Sequence, residues 1–192
     1  MPLFPTSLTR ALIVGVMAAT LTACEKPAPA PELASKDDGM ECLRVNDMPC
    51  AEANLRGYLL QYPNDSQTAA VLAIGMTKAG RHKQALYYYN KAVQGGQATY
   101  DLYAFYAMSL DAVGDIDNAI AYNAKALKIV PGLVDVRGDM ARQLVRKGKP
   151  DEAIALLKWY DAFLKKQGQS PYFTAQIAAI QEQMAAKATA KP

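Results

Sequence analysis

The sequence has few of the residues on which enzyme active sites depend. The chain of 192 residues contains one histidine, three cysteines and one tryptophan. Because most acid–base, nucleophilic and metal chemistry uses imidazole, a single histidine argues against those enzyme classes. That residue, His82, falls in a predicted turn, where a packed or solvated side chain is a simpler interpretation than a catalytic one. With no nucleophile elbow, glycine-rich phosphate loop or HExxH motif either, we predict no enzyme activity, no cofactor and no metal site.

An excess of charge of one sign is also missing. Twenty-one lysines and arginines stand against 18 aspartates and glutamates, which gives a formal net charge of +3. So small a net positive charge does not support electrostatic binding to nucleic acid. We expect neither nucleic acid nor a small-molecule substrate as a ligand.

Long apolar runs are absent from the start of the chain. The apolar segment 11–23 has thirteen residues, whereas a helix that spans a bilayer needs about 20. Arg10 precedes it and small residues end it, a pattern typical of a secretory signal. The alternative, a buried helix of the domain, is disfavoured because a proline-rich stretch follows at once.

The end of this segment reads Leu21-Thr22-Ala23-Cys24, which resembles the lipobox of bacterial lipoproteins. The resemblance implies a signal peptide over 1–23 and a diacylglycerol on the thiol of Cys24, the first residue after cleavage. Residues 24–41 would then be the lipidated cysteine and a Pro/Ala-rich tether. Glu25, in place of the aspartate linked to inner-membrane retention, favours the outer membrane with the domain facing the periplasm, with the inner membrane as the alternative.

Cys42 and Cys50 remain for other chemistry. In a secreted chain, two remaining thiols favour a disulfide, and we expect it to hold the start of the first helix. Two free thiols are the alternative. A zinc site would need a second pair of ligands, which this spacing lacks.

The rest of the chain is periodic. Glycine recurs at 80, 114 and 148, and alanine recurs with the same step at 85, 119 and 153. Each window has an apolar first helix at helical spacing, a glycine suited to a helix end, and a second helix that opens with small residues. The pattern predicts an all-α fold of helical hairpins.

This pattern resembles the tetratricopeptide repeat (TPR), a helix–turn–helix unit that stacks into a solenoid. The repeats would occupy 66–99, 100–133 and 134–167. We expect 42–65 to be a disulfide-stapled half repeat, because Asp37, Asp38 and Gly39 argue against a preceding helix. Residues 168–192 would hold a capping helix over 171–187 and a tail.

In this family the first helices of successive repeats line a concave groove that takes a peptide. Helical spacing then gives the groove candidates Ile74, Lys78, Asp101, Ala104, Met108, Asp111, Asp135, Arg142 and Arg146. A wider set adds Gln67, Ala70, Thr77, Ala112, Gly138 and Val145. For any one charged residue, a solvated helix face is the alternative. The Lys and Asn set with which chaperone-binding members hold a C-terminal carboxylate is not present.

The third repeat carries aromatic bulk where the family expects alanine, at Tyr160, with Trp159 and Phe163 beside it. One interpretation is that Tyr160 and Phe163 pack the capping helix. The other is an exposed aromatic anchor for a partner, for which Trp159 is the candidate.

Lipobox, tether and repeats are similar in layout to pilotin and assembly-type TPR lipoproteins. This resemblance implies a lipid-anchored envelope protein that binds a protein or peptide segment of the envelope and assists assembly of a pilus or secretion machine. The alternative is an accessory subunit that recruits a periplasmic enzyme.

Overall fold

A computed structural model describes residues 34–189 of the chain. The predicted signal peptide, the lipobox with Cys24 and most of the tether lie outside the described residues. Within the described part, the chain forms nine α-helices and no strand. The helices are α1 Lys36–Arg44, α2 Met48–Gln61, α3 Ser66–Lys78, α4 His82–Gln94, α5 Tyr100–Ala112, α6 Ile116–Ile129, α7 Val134–Arg146, α8 Pro150–Lys166 and α9 Thr174–Thr189. Over this range no helix has the length and apolar character to cross a membrane.

The helices pair as consecutive hairpins, α1–α2, α3–α4, α5–α6 and α7–α8, and α9 packs on α8. Each hairpin also packs on the next, through α2 and α3, α4 and α5, and α6 and α7. The core follows this stack: one apolar cluster runs from α2 to α6 and another joins α7, α8 and α9. The architecture is a helical-hairpin solenoid, as the periodicity of the sequence predicts.

The predicted turn glycines adopt the backbone conformation that the repeat requires. The φ angles of Gly80, Gly114 and Gly148 are 73°, 89° and 75°. Residues other than glycine rarely adopt these positive values. The alanines Ala85 and Ala119 of the second helices are completely buried. Their small side chains let the two helices of each hairpin approach closely.

The expectation of a half repeat at the N-terminal end is wrong, because residues 36–44 form helix α1. Asp37 and Asp38 lie in its first turn, where carboxylates stabilise a helix by interacting with its dipole. Ser35 caps the helix by accepting a hydrogen bond from the Asp38 N–H. Gly39 is buried against Leu55 on α2, so it serves close packing. A fourth hairpin therefore begins inside the segment that the sequence analysis assigned to the tether.

A disulfide joins the two helices of this hairpin. It links Cys42 on α1 to Cys50 on α2, with their Cα atoms 5.7 Å apart. Helix α1 has nine residues, too few to be stable alone in water. The covalent link therefore holds a short helix against its partner.

The capping helix begins at Thr174, three residues later than predicted. The Asp161 carboxylate on α8 accepts hydrogen bonds from the backbone N–H groups of Tyr172 (2.8 Å) and Phe173 (2.9 Å). These bonds hold the two residues in a turn before the helix and place Phe173 in the core. The predicted apolar face, with Ile177 and Ile180, is buried as expected.

Candidate functional site

A large groove lies among the first helices at the C-terminal end of the solenoid. We call it the C-terminal groove. Its volume is about 670 Å³. The residues that line it, from α5, α7 and α9, are Asp111, Arg142, Val145, Arg146, Gln176, Ala179, Ile180 and Gln183. Two successive repeats and the capping helix therefore build one concave surface.

The C-terminal groove combines apolar and polar lining residues. Val145 and Ala179 supply apolar surface beside the buried Ile180, and Gln176 and Gln183 supply amide groups from α9. Amide side chains both donate and accept hydrogen bonds, so they can meet the backbone of a bound peptide. The groove thus offers apolar burial and hydrogen bonding side by side.

Both arginines of the groove already have carboxylate partners. Arg146 on α7 pairs with Asp111 on α5, and Arg142 pairs with Asp139 one turn away. Burial raises the pKa of the Asp139 carboxyl, against the opposing effect of Arg142. The Arg146 pair therefore links α7 to α5, whereas the Arg142 pair lies within α7. The two arginines do not form an open pair of cations for a ligand carboxylate.

The sequence did not predict the wall supplied by α9, which was expected to be only a capping helix. A signal was present: Gln176 and Gln183 are separated by two helical turns and so share one side of the helix. What the sequence could not provide was the position of α9 beside α7. That position depends on Phe173, whose ring lies near Gly138 of α7.

A smaller groove of about 190 Å³ lies at the other end, between the α1–α2 hairpin and α3. Of the predicted groove residues it contains Ile74 and Lys78, beside Leu43 and Met48. The Lys78 ammonium lies 5.4 Å from the centre of the Phe105 ring, a cation–π distance.

The predicted groove residues are thus divided. Ile74 and Lys78 are in the small groove, while Asp111, Arg142 and Arg146 are in the C-terminal groove. Four others line neither groove: Asp101, Ala104, Met108 and Asp135. Asp101 instead accepts a hydrogen bond from the Leu102 N–H at the start of α5.

Thr77, one of the wider set of groove candidates, is buried in the core. Its hydroxyl lies 2.7 Å from the Tyr89 hydroxyl and 2.7 Å from the Ser109 hydroxyl. Burial raises the pKa of the Tyr89 phenol well above its ordinary value, so this phenol is neutral at physiological pH. The His82 ring nitrogen Nδ1 lies 3.3 Å from the same Ser109 hydroxyl. This network joins α3, α4 and α5, and it explains His82 without a catalytic role.

A third groove lies on the other helices of the hairpins, between α6 and α8. We call it the outer groove. Its volume is about 450 Å³, and its lining residues are Ala124, Leu127, Lys128, Pro131, Arg137, Met140, Leu156 and Trp159. Trp159 is 52% exposed, and the guanidinium carbon of Arg137 lies 4.8 Å from its ring centre.

The two aromatic neighbours of Trp159 differ in burial. Tyr160 is buried, with its ring centre 5.8 Å from that of Phe173, so it does pack the capping segment. Phe163 is partly exposed and stacks on Trp159 at a centroid distance of 5.8 Å. Across residues 34–189, no group of three or more His, Cys, Asp or Glu side chains could hold a metal ion.

Comparison with known proteins supports the fold. No protein-family model and no curated protein matches the chain. A crystal structure of MamA aligns with a TM-score of 0.60 and 16% identity, covering 81% of this chain and 99% of that one. A second MamA structure aligns with a TM-score of 0.60 and 18% identity over 64% of this chain and 67% of the other. A TPR repeats protein from Bacteroides fragilis aligns with a TM-score of 0.48 and 20% identity over 64% of this chain and 58% of the other.

At sequence identities this low, similarity to the MamA structures supports the fold and nothing more. Their alignments agree with the helical hairpins of the chain and with its periodic sequence. The fold is an all-α solenoid of TPR-type helical hairpins.

Proposed function

We propose that this chain is an interaction scaffold that binds a segment of another protein in the C-terminal groove. The observation that carries the proposal is the groove itself, in which three helices combine apolar surface with amide groups. Concave sites of this kind, apolar with a few convergent polar groups, are where proteins bind ligands. A volume of about 670 Å³ has room for several side chains of a peptide.

The lining of the groove favours a particular kind of segment. Val145 and Ala179 would contact one or two aliphatic side chains of the partner. Gln183 would bond to its backbone, and so would the Oε1 atom of Gln176, whose Nε2 already donates to the Gly138 carbonyl at 3.4 Å. Because Arg142 and Arg146 are already paired with aspartates, a C-terminal carboxylate is not the favoured ligand. An extended or helical internal segment with aliphatic side chains fits better.

The location we propose rests on the lipobox. A diacylglycerol on Cys24 would anchor the scaffold in the bacterial cell envelope, on the outer membrane and facing the periplasm. There it would assist assembly of a pilus or secretion machine. The second candidate is an accessory subunit that recruits a periplasmic enzyme, and the identity of the bound partner separates the two.

Site-specific photo-crosslinking in the producing cells tests the proposal. A benzoylphenylalanine in place of Ala179 would lie in the C-terminal groove. The same residue in place of Ala178, which does not line the groove, would point away from it because successive helical residues are about 100° apart, so this variant is a matched control. We expect a discrete cross-linked product from position 179 and none from position 178. Mass spectrometry would then identify a structural component of an envelope machine or an enzyme.

A second change ties the product to the groove. Gln183→Trp would fill the groove from an exposed position of α9, so the helix should remain folded while the cross-link at 179 is lost. Equal products from positions 178 and 179, or no product from either, would contradict the proposal.

A further inference from the structure

The outer groove contains a buried positive charge without a counter-ion. Arg137 is only 4% exposed. Among residues 34–189, no carboxylate forms an ion pair with it. Burying an unpaired charge is costly, and burial lowers the pKa of this guanidinium relative to its ordinary value. An arginine stays protonated in proteins, so the charge remains.

Backbone carbonyls satisfy only part of this guanidinium. Nη2 of Arg137 donates to the Pro131 carbonyl at 2.7 Å, and Nη1 donates to the Leu156 carbonyl at 3.4 Å. The buried Nε has no hydrogen-bond partner among the described residues. The carbonyls are neutral, so they orient the group without balancing its charge.

The surroundings of the guanidinium are complementary to an anion with an apolar body. Both charged residues that line the outer groove, Lys128 and Arg137, are positive. The rest of the lining is apolar or aromatic, with Leu127, Leu156 and the half-exposed Trp159. Partly exposed tryptophans beside apolar surface are frequent hot spots of protein interfaces.

We propose that the outer groove binds an acidic segment of a protein partner, in which a glutamate or aspartate lies next to an aliphatic residue. The carboxylate would lie between Lys128 and the edge of Arg137, and the aliphatic side chain would cover Trp159 and Leu156. This surface is formed by α6, α7 and α8, whereas α5, α7 and α9 form the C-terminal groove. The proposal therefore does not depend on what the C-terminal groove binds.

The single tryptophan of the chain makes the test direct, because its fluorescence reports on this groove alone. The probes are two peptides, acetyl-Leu-Glu-Glu-Leu-amide and its neutral counterpart acetyl-Leu-Gln-Gln-Leu-amide. We expect the acidic peptide to change the Trp159 emission with a saturable dependence on concentration. The neutral peptide should bind about tenfold more weakly, since a charge-assisted contact is lost.

Two lysines on α6 provide a matched pair of variants that leave Trp159 in place. Lys128→Gln should weaken binding of the acidic peptide severalfold. Lys125→Gln should not, because the Lys125 ammonium lies over Tyr122, 4.1 Å from the ring centre, and does not line the outer groove. Arg137→Gln should abolish binding, but it could also unfold the hairpin, so circular dichroism must accompany it.

The proposal would be overturned by equal affinity for the two peptides, or by no response to the acidic peptide at millimolar concentration. Equal weakening by Lys125→Gln and Lys128→Gln would also overturn it, because the attraction would then come from overall charge. Any of these results would leave the C-terminal groove and its cross-linking test unaffected.

Discussion

At the scale of single residues, Gly39 shows why residue type alone gave the wrong expectation for helix α1. Glycine in a helix interior is unfavourable by about 0.5–1 kcal/mol relative to alanine, which argues against helix α1. In the structure, a Cβ atom at residue 39 would lie 2.5 Å from Cδ2 of Leu55. Steps of one repeat period lead from Gly39 to Ala73, Ala107 and Ala141, all buried. Gly39 therefore allows α1 to pack closely against Leu55 of α2.

This interpretation predicts opposite effects at two helical glycines. Gly39→Leu should lower the free energy of unfolding by about 1–3 kcal/mol, because it overpacks the contact with Leu55. Gly138→Ala on α7 should raise it by about 0.5–1 kcal/mol, since the nearest atoms to its new Cβ, on Arg142 and Phe173, are 3.6 Å away. Urea unfolding followed by circular dichroism measures both values. A Gly39→Leu protein as stable as the wild type would show that α1 does not pack as described.

At the scale of helical elements, neighbouring hairpins hold the same contact with its two partners exchanged. In the α5–α6 hairpin, the aromatic ring belongs to Tyr103 and the cation to Lys125, 5.6 Å apart. At the equivalent positions of the α7–α8 hairpin, the cation is Arg137 and the ring is Trp159. The pair therefore links the two helices of both these hairpins, whichever helix supplies the charge.

We predict that Arg137 and Trp159 are energetically coupled. Trp159→Lys alone would place two cations together and lower stability, whereas the double variant Arg137→Tyr/Trp159→Lys copies the Tyr103–Lys125 arrangement and should recover part of it. A separate double-mutant cycle in urea, built from Arg137→Met and Trp159→Leu so that neither substitution adds a charge, should give a coupling of about 0.5–2 kcal/mol. If the effects of the two substitutions are simply additive, the contact does not stabilise the hairpin.

Buried polar pairs join one repeat to the next in a similar way. Tyr89 on α4 meets Ser109 on α5 through the Thr77 hydroxyl. One period later, Asn123 on α6 donates to Gln143 on α7 at 3.0 Å. Such pairs are costly to leave unsatisfied, so they favour one register between hairpins over others.

At the scale of the whole molecule, the described residues form one stack with two candidate binding grooves that share helix α7 but no lining residue. The C-terminal groove uses first helices and the capping helix, and the outer groove uses mainly second helices. A partner in one groove would leave the other accessible. Two such surfaces would allow one scaffold to hold two segments together, as the proposed assembly role requires.

The proposed anchor is a property of the whole molecule and has its own test. Cys24→Ser should abolish incorporation of labelled palmitate and move the protein out of the membrane fraction, because each buried CH₂ of an acyl chain contributes about 0.8 kcal/mol to anchoring. Cys50→Ser is the matched control, and it should keep the label although it removes the disulfide. Unchanged labelling of the Cys24→Ser protein would contradict the lipobox assignment.

The repeat could be recognised from the sequence alone. Its period, the turn glycines and the small alanines depend on residues close in the chain or on a fixed step along it, so they could be read without coordinates. The same period also points to the fourth hairpin, since Asn46, a residue type that tolerates the left-handed region, stands one full period before Gly80. In the structure Asn46 has a positive φ of 60°.

The candidate sites could not be located in the sequence, because they depend on contacts that folding makes between distant residues. Arg146 meets Asp111 from 35 residues away, and Gln176 joins the same groove because Asp161 and Phe173 position α9. Thr77 has helical spacing suited to the groove, yet it faces Tyr89 and Ser109 in the core. Helical spacing gives the direction of a side chain from its own helix, but the neighbouring helices determine whether that direction leads to a groove, a core or solvent.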